Sequence, residues 1–127
     1  MEFKITTVIS ATPTEIYNAW LNGDQHAAMT GAPATGKAEI GADFTAWEGY
    51  ISGKNLELVS DEKIVQSWRT TEFMDDDEDS LLEIYMKSTD DGCELTLIHS
   101  RIPDNQPDYE LGWRDHYFKP MKDCFSD

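Results

Sequence analysis

Phe3, Ile5, Thr7 and Ile9 alternate with Lys4, Thr6, Val8 and Ser10, the period of two that predicts a half-buried strand. The alternation stops at Thr12-Pro13-Thr14-Glu15. In that string the Thr12 hydroxyl can accept from the Glu15 N–H while the Glu15 carboxylate reaches back, and Pro13 stands where its missing N–H costs nothing. A helix burying Ile16, Tyr17, Trp20 and Leu21 is predicted to follow. Asn22-Gly23 is read as a left-handed stop, with Asp24 as the cap of a second short helix that runs through Met29 and ends at Gly31. The two helices should form a V-shaped pair.

From Ala38 to Arg101 the helical period gives way to short alternating segments between turn signals, as in an antiparallel meander. Strands are predicted near 38–40, 43–48, 51–59, 63–71, 81–88 and 93–101. Ser60-Asp61-Glu62 and Thr89-Asp90-Asp91-Gly92 supply turns, and Gly92 tolerates a positive φ. Leu56, Leu58 and Trp68 are assigned to the inner face, while Gly49 and Gly53 are expected to mark a bulge or sharp bend. Asn105 or Asp108 can cap a final helix running to about Phe125, whose inner face is expected to carry Trp113, Tyr117, Met121, Cys124 and Phe125. Pro120 cannot donate to the His116 carbonyl and predicts a kink. The resulting order of strand, two helices, long meander and long helix is an α+β arrangement.

Composition narrows the function. The 127 residues are expected to form one domain over 1–127, and four Trp, five Tyr and five Phe supply a bulky core. The 25 Asp plus Glu against 10 Lys plus Arg give a formal charge of −15, which repels phosphate backbones and argues against nucleic acid. No apolar run reaches the roughly 18 residues of a membrane span, and the alternating start lacks a signal-peptide core, so a cytoplasmic protein is expected. Cys93 and Cys124 fit neither a metal spacing nor a disulfide framework and are read as structural thiols.

Two strings and the capped first helix carry a family resemblance. Gly49 to Arg69, GYISGKNLELVSDEKIVQSWR, and Gly112 to Lys122, GWRDHYFKPMK, together with TPTEIYNAW, resemble the homologues of the C-terminal domain of the activator of the 90-kDa heat-shock protein ATPase. The resemblance covers nearly the whole chain. It implies the helix-grip fold shared with START domains and birch-pollen allergens: a curved antiparallel sheet, two short helices after the first strand, and a long C-terminal helix across the sheet. It further implies a cavity between sheet and helix that takes small hydrophobic molecules in relatives of this fold, whereas a related domain of the eukaryotic activator contacts the chaperone. That activator's second, preceding domain is not expected here.

Candidate chemistry is sparse. Asp75, Asp77 and Asp79 have the first spacings of a calcium loop, but Ser80 stands where Gly is needed and Met86 where a bidentate Glu is needed, so a solvated inter-strand loop is expected. His26, His99 and His116 lack zinc spacing, and no nucleophile elbow, phosphate loop or dinucleotide fingerprint occurs; no metal, cofactor or enzymatic activity is expected. Trp20, Trp47, Trp68, Trp113, Tyr117 and Phe118 should surround one space. A wedge between sheet and helix is hard to fill, and Trp68, Tyr85, Leu97, His99, Trp113 and Tyr117 are the expected lining of a ligand cavity. The expected partner is a small hydrophobic molecule, with a chaperone as the alternative, and the expected assembly is a monomer or weak homodimer.

Overall fold

The computed structural model describes residues 1–125. Six strands form one antiparallel sheet in the order β1-β6-β5-β4-β3-β2, with β1 Phe3–Ile9, β2 Asp43–Ala46, β3 Ile51–Val59, β4 Lys63–Thr70, β5 Ser80–Thr89 and β6 Gly92–Ser100. Two helices, α1 Pro13–Leu21 and α2 Gly23–Thr30, follow β1, and a C-terminal helix, α3, covers residues 109–124. This is the α+β helix-grip arrangement. The curved sheet turns Ile5, Ile9, Ile64, Leu82, Ile84, Leu95 and Leu97 inward, where they join Ile16, Trp20, Trp113, Tyr117 and Met121 from the helices in one core cluster.

Capping fixes the helix ends. The Glu15 N–H donates to Thr12 Oγ1 at 3.1 Å and the Thr12 N–H donates to Glu15 Oε1 at 3.0 Å, the reciprocal box that the sequence predicts. Asn22, not Asp24, caps α2, through a 2.9 Å bond from the Gln25 N–H to Asn22 Oδ1. Nor is Asn22-Gly23 a left-handed stop: Asn22 has φ −85, and Gly23 opens α2. A Cβ on Gly23 would come within 2.7 Å of Thr35 Cα, so glycine is needed there for close approach. Gly31, at φ 85, does end α2 in the left-handed region.

Three further expectations are corrected. Residues 38–40 form bends and a turn instead of a strand, and an isolated bridge from Thr35 to Thr45 precedes them. Strand β2 ends at Ala46, because Trp47, Glu48 and Gly49 turn at φ 53, 58 and 87. The bulge lies between Asn55 and Glu57, beyond Gly53; it turns Asn55 inward and leaves Leu56 48% exposed, so Leu56 does not contribute to the core.

Helix α3 accommodates Pro120 without the simple kink expected. Tyr109–Trp113 is α-helical, Arg114–Phe118 is π-helical, and Lys119–Cys124 is α-helical again. The Lys119 N–H donates to the Arg114 carbonyl, five residues back, which widens the turn just ahead of the proline. Pro120 thereby falls in the first turn of the final segment, where a missing donor costs little. The inner face carries Trp113, Tyr117, Phe118 and Met121; Cys124 is exposed. Asp108 caps the helix by accepting from the Leu111 N–H at 3.1 Å.

The two strand and helix glycines should respond oppositely to alanine. A Cβ at Gly53 would lie 1.8 Å from the Ser67 carbonyl oxygen, whereas one at Gly112 meets nothing within 4 Å. Gly53→Ala is expected to lower the urea-unfolding free energy by roughly 2–4 kcal/mol. Gly112→Ala should raise it by about 1 kcal/mol, the helix-propensity difference.

Candidate functional site

A cleft of about 560 Å³ opens between the first half of α3 and the β2–β3 turn. Asp108, Tyr109, Leu111, Gly112, Trp113, Asp115, His116 and Tyr117 form its helical wall. Trp47, Tyr50 and Ile51 form the opposite wall, Trp68 from β4 forms the floor, and Pro107 lies at the margin. The rings are mutually packed. Trp68 stands 5.0 Å from Tyr109 and 5.5 Å from Trp113, Trp113 lies 4.7 Å from Tyr117, and Trp47 meets His116 edge-on at 5.4 Å.

Buried hydrogen bonds hold this aromatic group in place. Trp113 Nε1–H donates to His99 Nδ1 at 3.1 Å; an indole can only donate, so Nδ1 is the acceptor and the neutral ring carries its proton on Nε2. That proton is directed to Ser80 Oγ at 2.8 Å, and Ser80 in turn donates to the Trp68 carbonyl at 2.6 Å. Burial pushes the His99 pKa down to about 3, which keeps it neutral. His26 shows the opposite tautomer. Its Nδ1–H faces the Trp20 carbonyl at 2.8 Å, leaving Nε2 to accept from the Tyr117 hydroxyl at 2.9 Å.

Tyr117 is thereby fixed as a donor, and burial drives its pKa well above the usual phenol range. At the margin, Thr70 and the Gln106 side chain hold the Tyr109 hydroxyl, at 2.7 Å each. The Tyr50 hydroxyl donates to the Glu72 carboxylate.

Trp47 is the exception. Its Nε1–H is buried and has no hydrogen bond of good geometry, although it lies near enough to the Tyr117 oxygen to oppose part of that phenol's rise in pKa. Its backbone is also left-handed, as is that of Glu48, and non-glycine residues in this region carry strain of about 1–2 kcal/mol each.

Of the residues expected to line a cavity, the structure brings Trp68, Trp113 and Tyr117 to the cleft. Leu97 and His99 share their face of the sheet but are fully buried behind the rings; Trp68 stands 4.5 Å from His99 and shields it. Tyr85 points to the other face of the sheet, where its hydroxyl donates to Glu83 and the Lys63 ammonium lies 5.6 Å from its ring; it does not line the cleft. Trp20 and Phe118 pack in the core. Tyr50, Tyr109, Asp115 and His116 are lining residues outside the predicted set. Tyr50 depends on the left-handed turn and Asp115 and His116 on the π-helical segment, neither of which has a clear sequence signature, while Tyr109 opens the helix that Asp108 caps.

The acidic loop is organised by an arginine. Arg69 donates to the Met74 and Asp77 carbonyls and pairs with Asp79 at 2.8 Å. Among the described residues, no group of three or more His, Cys, Asp or Glu is placed to hold a metal, and no helix is long and apolar enough to cross a membrane.

Comparison with known proteins matches residues 10–126 to the family described as Activator of Hsp90 ATPase homolog 1-like protein. The human Activator of 90 kDa heat shock protein ATPase homolog 1 is 30% identical over 117 residues, covering 90% of this chain and 34% of the human protein. The chain thus spans about a third of the length of the curated relatives it matches. Among solved structures, an HSP90 activator from Plasmodium falciparum superposes with a TM-score of 0.86 at 23% identity, over 96% of this chain and 94% of that one. An Aha1 dimer from Colwellia psychrerythraea gives 0.81 at 14% identity, over 98% and 96%.

The neutral state of His99 makes a stability prediction. Its folded pKa of about 3 lies below the ordinary value of 6.5, and burial lowers His26 as well, against the Trp20 carbonyl that favours its charged form. Below about pH 6.5 the unfolded chain therefore takes up protons that the folded chain refuses, and stability falls as the pH drops toward the folded value. Each such histidine contributes a slope of up to about 1.4 kcal/mol per pH unit. Urea unfolding between about pH 7 and pH 5 should show this decline, and His99→Gln should remove one proton's share of the slope. An unchanged slope in that variant would contradict a neutral His99.

Proposed function

The chain belongs to the Activator of Hsp90 ATPase homolog 1-like family, and we propose that it is a non-enzymatic binding protein whose cleft receives a small apolar or amphipathic molecule. The observation that carries this reading is the cleft itself. Its volume of about 560 Å³ lies within the range of small-molecule sites, and its walls are largely aromatic, with a few polar groups. The left-handed backbone at Trp47 and Glu48 adds to the case, since such strain concentrates at ligand sites. His99 offers the cleft no acid or base: both its nitrogens are committed to internal bonds, and the residue is sealed behind the rings.

Thermal-shift and native mass-spectrometric screening with fatty acids, alkyl amines and aromatic metabolites tests the proposal. A ligand at about a hundred times its Kd should stabilise the fold by ~2.7 kcal/mol and raise the midpoint by roughly 10 °C. Gly112→Leu, which places a side chain into open space on the cleft wall, should abolish binding while leaving the fold intact. A panel with no stabilising member and no bound mass would defeat the proposal.

A second reading is favoured by the relatives' names: docking on a 90-kDa heat-shock protein. The −15 charge would then meet a basic patch, and binding would weaken steeply as salt rises. Pull-down and ATPase assays with the chaperone at low salt should show a complex and a changed turnover; neither effect would remove this reading. A monomer or weak homodimer is the assembly proposed, and sedimentation across a concentration series measures it.

A further inference from the structure

Charge is distributed unevenly around α3. The flank toward the cleft presents Asp108 and Asp115, and none of the cleft-lining residues is Lys or Arg. Lys119, Lys122 and Arg114, the last paired with Glu110, instead line, together with Asp123, a separate groove beside Thr6 and Thr7 of β1. The lysines and arginine of this helix thus face away from its acidic, aromatic flank. Beyond the mouth stands Glu72, bonded to Tyr50; burial raises the pKa values of Tyr50 and Tyr109, and the Glu72 carboxylate adds to both rises. Negative potential reaches the cleft's polar end, inside a protein whose formal charge is −15.

Aromatic rings attract cations through their negative faces, most strongly in sites shielded from water, and carboxylates at the margin add to that attraction. An anionic head group in the same place would meet two aspartates and no Lys or Arg, with His116 as the basic side chain of the lining. We propose that the cleft selects a cationic amphiphile: an alkylated ammonium group on an apolar body, with the body against Trp68 and Trp113 and the ammonium at the cleft margin, in the combined field of Asp108 and Asp115. This rests on the ligand-binding reading above and specifies its chemistry.

Three probes with one tail and different heads test it: octyltrimethylammonium, octanoate and octyl glucoside, each below its micelle concentration and at low salt. Calorimetry gives affinity, and indole NMR signals report the site. Octyltrimethylammonium should bind about tenfold more tightly than either of the others, the ratio that ~1.4 kcal/mol of cation recognition produces. It should shift the indole signals of Trp47, Trp68 and Trp113.

Asp115→Asn and Asp108→Asn should each reduce that preference by about two- to threefold. Asparagine at 108 retains the helix cap, so a loss there reports charge and not unfolding. If all three probes bind the cleft within twofold of one another, ligand binding stands and cation selection fails. If only the cation binds but the indole signals do not move, attraction to the general acidic surface explains it and the inference fails. If none binds the cleft, the inference fails, and the screening panel above decides separately whether ligand binding fails with it.

Discussion

The contact on which the rest depends is the buried hydrogen-bond relay from Trp113 through His99 and Ser80 to the Trp68 carbonyl. Hydrophobic packing brings a helix onto a sheet but is non-directional and tolerates sliding. A buried imidazole has no such freedom: displacing Trp113 would leave His99 Nδ1 without a donor, at a cost of about 1–3 kcal/mol. The relay therefore fixes the depth and rotation at which α3 meets β4, β5 and β6. Because Trp68 and Trp113 are also the floor and wall of the cleft, the same bonds set its shape.

Two departures from regular geometry shape the walls of the cleft. The π-helical segment spreads α3 where Tyr117 and Phe118 turn inward, and it lets the helix continue through Pro120. Opposite, the left-handed turn at Trp47, Glu48 and Gly49 ends β2 early and directs Trp47 toward His116. Neither departure improves stability on its own. Together they set Trp47 against His116 and Tyr117 at one end of the cleft, so the core and the cleft are built from one continuous group of rings.

Much of this was legible from residue order. The Thr12–Glu15 box, the inward alternation of β1, and the hairpin between β5 and β6 follow from local rules that tertiary context did not override. Long-range features were harder to read. In Leu81-Leu82-Glu83-Ile84-Tyr85-Met86 both parities carry large apolar side chains, so periodicity alone did not decide that Tyr85 faces outward. Leu56 departs from the expected inner face because a bulge changes parity in mid-strand, while Leu58 packs on the core as expected; the inward side chain at the bulge, Asn55, is held by Gln66 on a neighbouring strand. His99 was placed on the correct face but at the wrong depth, since two indole rings packed in front of it do not show in a strand pattern.

Asn55 has one more consequence. Its backbone exchanges hydrogen bonds with Gly41 and Ala42, its Nδ2 donates to the Lys37 and Glu39 carbonyls, and its Oδ1 accepts from Gln66, whose own Oε1 receives the Trp20 indole proton. The stretch 37–42 has no ladder of its own, yet its carbonyls are tied by a single amide to the centre of the molecule. It is thus the visible end of an internal tether: peeling it away would strip both acceptors from the Asn55 amide, whose oxygen holds the Gln66 side chain against the Trp20 indole, so its opening should be coupled to loosening of the core instead of occurring as independent surface fraying.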